Sequence, residues 1–163
     1  MNNRMINIEE IKTFIIDGKK ATFSLRSPKS GKHYTFTVNR PNKEMYADYF
    51  VKVHSNENVP TMGYIKQGVY HTSKKYDPNQ EKGKSNLIEC IAFDYFWRLL
   101  MKDKLTLEFF NEGSCSCCGK PLTDPESIQR GIGPTCFGKI TKSKAGKKEY
   151  VDENKNQITI NDF

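Results

Sequence analysis

No stretch of this 163-residue sequence has the uninterrupted apolar length that a membrane span requires. Met1 to Arg4 runs straight into a polar-apolar pattern without an apolar signal core, so a soluble, cytoplasmic chain with no export and no membrane partner is expected. Histidine is scarce. The three present, His33, His54 and His71, are scattered with no acid or nucleophile at a motif spacing, and HExxH, P-loop, G-x-S-x-G and H-x-E with P-C-x-x-C are all missing. The familiar metalloprotease, phosphate-loop, serine-hydrolase and deaminase signatures are thereby excluded. Cysteine is limited to five residues, an odd number in a chain without a leader, which argues against a disulfide framework.

What cysteine there is lies close together. Four of the five occupy the twenty-two residues from Cys115 to Cys136. Cys115 and Cys118 stand three apart, and Gly119 lets backbone amides close on the sulfurs, the arrangement by which a tight turn grips one tetrahedral ion. Cys136 ends Gly131-Ile132-Gly133-Pro134-Thr135, where two glycines permit a close backbone approach and proline stiffens it. These three are the expected ligands of a Zn2+ ion. The fourth is open: Cys117, the carboxylates of Asp124 and Glu126, the distant His71 and water are the candidates. Water would make the site open and allow a zinc-dependent hydrolase with Glu126 or Asp124 as base. Cys90 sits in an apolar helical pattern and reads as a small core hydrophobe.

The stretch from Cys115 to Cys136 resembles the C-terminal zinc-binding module of a family of uncharacterised phage and bacterial proteins, with the pattern CxxCGxxLTxPESIxxGxGPxC. The similarity extends upstream through Ala21 to Leu25, Gly31 to Phe36, Tyr49 to Val53, Gly63 to Ile65, Ala92-Phe93 with Phe96 to Arg98, and Glu108 to Gly113. The resemblance implies a zinc module, a phage setting and nucleic-acid contact, and no established activity. Two positions depart from it. Asn111 stands where relatives often have histidine, and Cys117 is an additional thiol.

The rest of the chain predicts an α+β protein: an antiparallel five-stranded meander backed by a helix, with the zinc module appended. Asn7 and Glu10 bracket a short helix whose Ile8, Ile11 and Ile15 share a face, and Gly18 supplies a stop. Ala21, Phe23 and Leu25 alternate with polar residues, and after Ser27 to Gly31 the alternation resumes with Tyr34, Phe36 and Val38, a hairpin. Tyr49 to His54, Thr61 to Gln67 and Val69 to Lys75 read as three more strands. Ser55 to Asn58 reads as a turn and Tyr76 to Lys84 as a polar loop, followed by a helix capped at Ser85 or Asn86 and running to Met101 with a wide apolar stripe. Leu105, Leu107 and Phe109 alternate in a short run that must pair with something. The expected divisions are residues 1–110 for the α+β domain, 111–140 for the zinc module and 141–163 for a charged flexible tail, in which only Gln157 to Ile160 has the character of a strand.

Charge locates the expected function. The formal net charge is +7, and residues 1–84 hold fifteen Lys or Arg against eight Asp or Glu, while residues 114–148 hold seven against two. Residues 85–113 and the tail are net acidic. Such a surface attracts phosphate backbones. The cations surrounding and following the thiols are Lys120, Arg130, Lys139, Lys142, Lys144, Lys147 and Lys148, and this is the stretch expected against DNA or RNA. A second platform is a sheet face on which aromatics stand beside Lys52, Lys66, Lys74 and Lys75, although the period-two pattern turns Phe23, Phe36 and Val51 inward and leaves Tyr64, Tyr70 and Tyr76 open. The cations at the hairpin end, Arg26, Lys29, Lys32 and His33, are more commonly explained as a solvated turn. Nucleic-acid binding is the function expected; the rival is an adaptor or inhibitor that engages a host protein.

Overall fold

The structure, a computed structural model, describes residues 3–54, 60–76 and 88–144. The expected turn at Ser55 to Asn58, the loop at 77–84, the helix cap at Ser85 or Asn86, Lys147, Lys148 and the strand-like Gln157 to Ile160 lie outside the described residues. The architecture is α+β with an antiparallel sheet, but the sheet has seven strands rather than five, in the order β1-β7-β2-β3-β4-β5-β6. The meander β2 (Lys20–Arg26), β3 (His33–Asn39), β4 (Tyr49–His54), β5 (Thr61–Lys66) and β6 (Val69–Thr72) follows the alternation in the sequence. The two additional strands are β1 (Arg4–Met5) and β7 (Glu108–Asn111). β7 pairs with β2 on the side away from β3, Phe109 opposite Leu25 and Phe110 opposite Ser24, and β1 pairs with β7. Without them β2 would be a bare edge with its N–H and C=O groups unpaired.

Helix α2 (Ile88–Met101) lays its apolar stripe on one face of the sheet. Of the stripe expected from Leu87, Ile88, Ile91, Ala92, Tyr95, Phe96, Leu99 and Leu100, the residues Ala92, Tyr95, Phe96 and Leu100 are buried. Cys90, Phe93 and Trp97 are buried too, whereas Ile88 and Ile91 are exposed, so the buried face is rotated from the one expected. The centre is aromatic: Phe23 stacks on Phe109 at 4.6 Å, lies 5.5 Å from Phe96, and Phe36 meets Phe93 edge-on at 5.3 Å. Trp97 belongs to this core, and its one polar atom is satisfied because Nε1 donates to the Gly68 carbonyl at 2.8 Å. That carbonyl is available because Gln67 and Gly68 both adopt positive φ, the two-residue turn whose twist suits the β5–β6 hairpin.

Helix α1 (Ile8–Lys12) begins where Asn7 accepts the Glu10 N–H at 3.1 Å, and it continues as one π-helical stretch from Thr13 to Asp17. Gly18 ends it, not by a left-handed turn but by its small size. A Cβ there would lie 2.5 Å from Ser116 Oγ and 2.6 Å from the Phe14 carbonyl oxygen.

Across the expected 110/111 boundary the apolar interior is continuous. Cys115, Leu122, Ile128 and Ile132 belong to the same buried cluster as Phe14 and Phe109. Helices α3 (Pro125–Arg130) and α4 (Pro134–Lys144) complete the chain described, and α4 carries the ordered structure past residue 140. Among the described residues no helix is long and apolar enough to cross a membrane.

Candidate metal centre

The cysteine turn is a miniature hairpin. Ser114 and Pro121 form a bridge, the Cys115 N–H donates to the Lys120 carbonyl at 2.9 Å, and the Gly119 N–H donates back to the Cys115 carbonyl at 2.8 Å. Gly119 is needed for its φ of 78° alone, since nothing lies within 4 Å of where a Cβ would stand. The chain then enters α3 through Asp124, whose Oδ2 accepts the Ser127 N–H at 2.9 Å, with Pro125 at the first helical position. Gly131 closes α3 in the left-handed conformation at φ 69°, and a Cβ there would run into the Phe14 ring. Pro134 opens α4, which places Cys136 in that helix's first turn.

Two cross-links bring the segments together. The Ser116 N–H donates to the Gly131 carbonyl at 3.1 Å, and the Gly133 N–H points at Cys115 Sγ at 3.4 Å. The outcome is that the sulfurs of Cys115, Cys118 and Cys136 all lie within 4.8 Å of one another. Tetrahedral coordination with bonds of about 2.3 Å puts sulfurs roughly 3.8 Å apart, so only small side-chain rotations separate these thiols from a metal's first sphere. Cys115 is buried, Cys136 half-buried and Cys118 exposed. Burial pushes the Cys115 thiol up, but the N–H groups of Gly133, Cys118 and Cys117 outweigh that and bring it down to about 7. Cys136 has no such donors; burial and the neighbouring Cys118 and Cys115 sulfurs push it up to about 12. A cation among the three would relieve that crowding, since a coordinating thiol loses its proton.

Of the protein side chains expected as fourth ligand, none is part of the three-sulfur cluster. The Cys117 thiol donates to the Asp17 carbonyl at 3.7 Å, and burial, with the nearby Cys115 and Cys118 sulfurs, raises it above the ordinary thiol value. The Asp124 carboxylate caps α3, and the Ser127 N–H holds it below the usual carboxylate range. Glu126 is out in solvent, paired with Arg130 at 3.0 Å. His71 is on β6, at the edge of the sheet farthest from β1. At Asn111, Nδ2 donates to the Ile128 carbonyl at 2.5 Å and Oδ1 accepts the Gly113 N–H at 2.8 Å, so this side chain ties β7 to α3. Among the described residues, then, no carboxylate or histidine joins the three sulfurs. The sulfurs open onto a cleft of about 460 Å³ rimmed by Leu122, Asp124, Thr135, Lys120 and Lys139.

The expected cations divide into two kinds. Lys120, Lys139 and Lys142 are exposed, with the first two at the mouth of the cleft. Arg130 is committed internally: its guanidinium lies 4.3 Å over the Phe137 ring and joins α3 to α4. Lys144 is the last residue of α4.

One link was invisible in the spacing of residues. The Ser116 carbonyl accepts the N–H groups of both Lys19 and Lys20, at 2.7 and 2.9 Å, so the cysteine turn grips the start of β2. Gly18 was the available signal, a small residue beside two lysines.

Residues 106–141, which include all three sulfurs, match a family of unknown function, DUF6011. Over 92 residues, 50% of the chain, the sequence is 32% identical to a Caenorhabditis elegans protein named probable glycerol-3-phosphate acyltransferase, mitochondrial. The chain spans only 13% of that protein's length. No solved structure matches the chain.

Proposed function

We propose that Cys115, Cys118 and Cys136 hold one zinc ion, that the ion is structural, and that the cationic surface around it binds nucleic acid. The observation that carries the reading is the convergence of three sulfurs from two separate segments, all within 4.8 Å of one another. Three soft thiolates suit zinc rather than magnesium or calcium. The ion would clamp the cysteine turn to the start of α4, and through Ser116 it would also steady Lys19 and Lys20. A structural role fits the carboxylates better than hydrolysis does, because Asp124 is spent on a helix cap and Glu126 on an ion pair. The fourth coordination position would then face the cleft.

Nucleic acid is favoured as partner by the excess of cations on the module, seven Lys or Arg against two carboxylates over residues 114–148. Metal analysis of the purified protein should return one zinc per chain. A mixed-sequence oligonucleotide should bind with an affinity that falls steeply as salt rises, each neutralised phosphate contributing about 0.7 to 0.9 to the log-log slope. Absence of tightly held zinc would remove the metal half of the proposal. Absence of binding at low salt would remove the other half, and co-purification of a single host protein would then point to an adaptor.

A further inference from the structure

The face of the sheet turned away from α2 carries an ordered row of side chains. Lys20, Asn39, Phe50, Tyr64 and His71 are successive cross-strand partners from β2 to β6. With their inward neighbours Ala21, Val38, Val51 and Ile65 buried, all five share the outer face, and the row spans about 19 Å at roughly 4.8 Å per strand. Tyr64 stacks on His71 with centroids 5.0 Å apart. Tyr46, from the β3–β4 connection, meets Phe50 and Tyr64 edge-on at 5.6 and 5.3 Å and remains 65% exposed.

Two adjoining clefts follow this row and share Phe50 and Thr61 as walls. The first, about 550 Å³, gathers Lys19, Lys20, Arg40 and Lys52, and no carboxylate lines it. Among the described residues Lys19, Lys20 and Lys52 have no ion-pair partner. The second, about 740 Å³, is walled by Tyr46, Tyr64 and His71 and extends past β6 to Asp94 and Arg98 of α2, which pair with each other at 3.1 Å. Asn39 lines the first cleft, and its Oδ1 is shielded from solvent without a hydrogen-bond partner.

We infer that this row is the binding track for single-stranded nucleic acid, with phosphates against Lys19, Lys20 and Lys52 and bases against Tyr46, Phe50 and Tyr64. The inference rests on the nucleic-acid reading above and gives it a location and a strand state. Lysines beside partly exposed aromatic rings, as Lys52 and Phe50 are in the first cleft, suit an unpaired strand, which offers both phosphates and unstacked bases. A duplex keeps its bases stacked inside and offers these rings nothing. An acidic polypeptide would satisfy the lysines but leave the rings unused. The cysteine turn enters through Ser116, which holds the backbone of Lys19 and Lys20 at the head of the track.

The test uses the full zinc-loaded chain and fluorescence anisotropy with a labelled mixed-sequence single strand, the corresponding duplex, and poly-glutamate. The single strand is expected to bind best. Tyr46→Ala, an exposed site whose loss leaves the core intact, should weaken it about tenfold, and Phe50→Ala by a similar factor. Lys20→Gln and Lys52→Gln should each flatten the log-log salt slope by about 0.7. Circular dichroism of Phe50→Ala checks folding, and Tyr46→Ala carries the test if that variant unfolds.

Wild-type binding by Tyr46→Ala, Lys20→Gln and Lys52→Gln, together with loss in Lys139→Gln or Lys142→Gln, overturns the track while leaving nucleic-acid binding in place. Equal affinity for duplex or for poly-glutamate also overturns it. No binding of either oligonucleotide overturns both readings.

Discussion

The sheet with α2 and the cysteine segment hold themselves together by different means. In the sheet and α2, five phenylalanines (Phe23, Phe36, Phe93, Phe96 and Phe109) are fully buried with the β-branched and aliphatic residues around them, and the interior is supported by its own apolar surface. From Gly113 onward the buried apolar residues are small in number, Leu122, Ile128 and Ile132 beside Cys115, and the segment is shaped by glycines at positive φ, a capped six-residue helix and N–H groups aimed at sulfur. A segment with so little buried apolar area gains little shape from burial alone; the ion proposed for its three sulfurs would supply what apolar area does not. The comparison predicts that the two regions fail separately, one by losing its ion and the other by losing its packing.

The largest effect is expected at the thiols. Cys115→Ser removes the sulfur that receives the Gly133 N–H, and zinc retention should be lost, with structural zinc sites contributing on the order of 10 kcal/mol or more when intact. Hydrogen exchange should then speed up at Ser116, Gly119, Gly131 and Gly133 while β3 and β4 remain protected. Uniform loss of protection would mean the ion holds the whole molecule, and the contrast drawn above would fail.

Next comes the opposite break. Phe23→Ala removes a ring that contacts Phe36, Phe96 and Phe109, and should destabilise the protein by about 3 to 5 kcal/mol in chemical denaturation. Zinc stoichiometry under native conditions should stay at one. A substoichiometric value would show that the sheet dictates the sulfur geometry.

A smaller effect sharpens the ligand set. Asp124→Asn keeps the cap on α3 and should leave zinc retention and stability near wild type, whereas Asp124→Ala should cost about 1 kcal/mol. Loss of zinc in Asp124→Asn would make this carboxylate a ligand after all.

Local pattern carried the sequence reading a long way. The alternation through Ala21, Phe23 and Leu25, the stripe on α2 and the three-residue spacing of Cys115 and Cys118 are each short-range signals, and each element formed where its period placed it. What stayed hidden was long-range. β1 is two residues, too short to show any period, and the partner of Phe109 on β2 is more than eighty residues away in the chain. Cys117 is one of several candidates for the fourth position and would need unusual local geometry because it adjoins Cys118; its thiol donates to the Asp17 carbonyl, a contact that spacing does not encode. The contact of Ser116 with Lys19 and Lys20 had no pattern at all, and neither did the five-residue row across the sheet, whose members come from five separate strands.

The smallest predicted effect lies within the sheet, at the seam where β7 joins β1 and β2 before the chain enters the cysteine segment. Glu108 opens β7, and its carboxylate bridges Arg26 on β2 at 2.5 Å and Arg4 on β1 at 3.3 Å. The hydrogen bond from Arg26 comes first among the causes that hold Glu108 below the usual glutamate range, with the charges of Arg26 and Arg4 adding to it. A carboxyl lowered on folding contributes stability that is present above its unfolded value, about 4.3, and fades as pH falls through the folded one. Both partners are about half exposed, so salt screens the pair and the gain is modest. In thermal melts, Glu108→Gln should sit slightly below wild type at neutral pH and converge with it as the buffer becomes more acidic than the ordinary glutamate range. A gap that persists unchanged into acid would assign the loss to packing against β1 rather than to charge, and would move this seam from the electrostatic to the apolar side of the comparison.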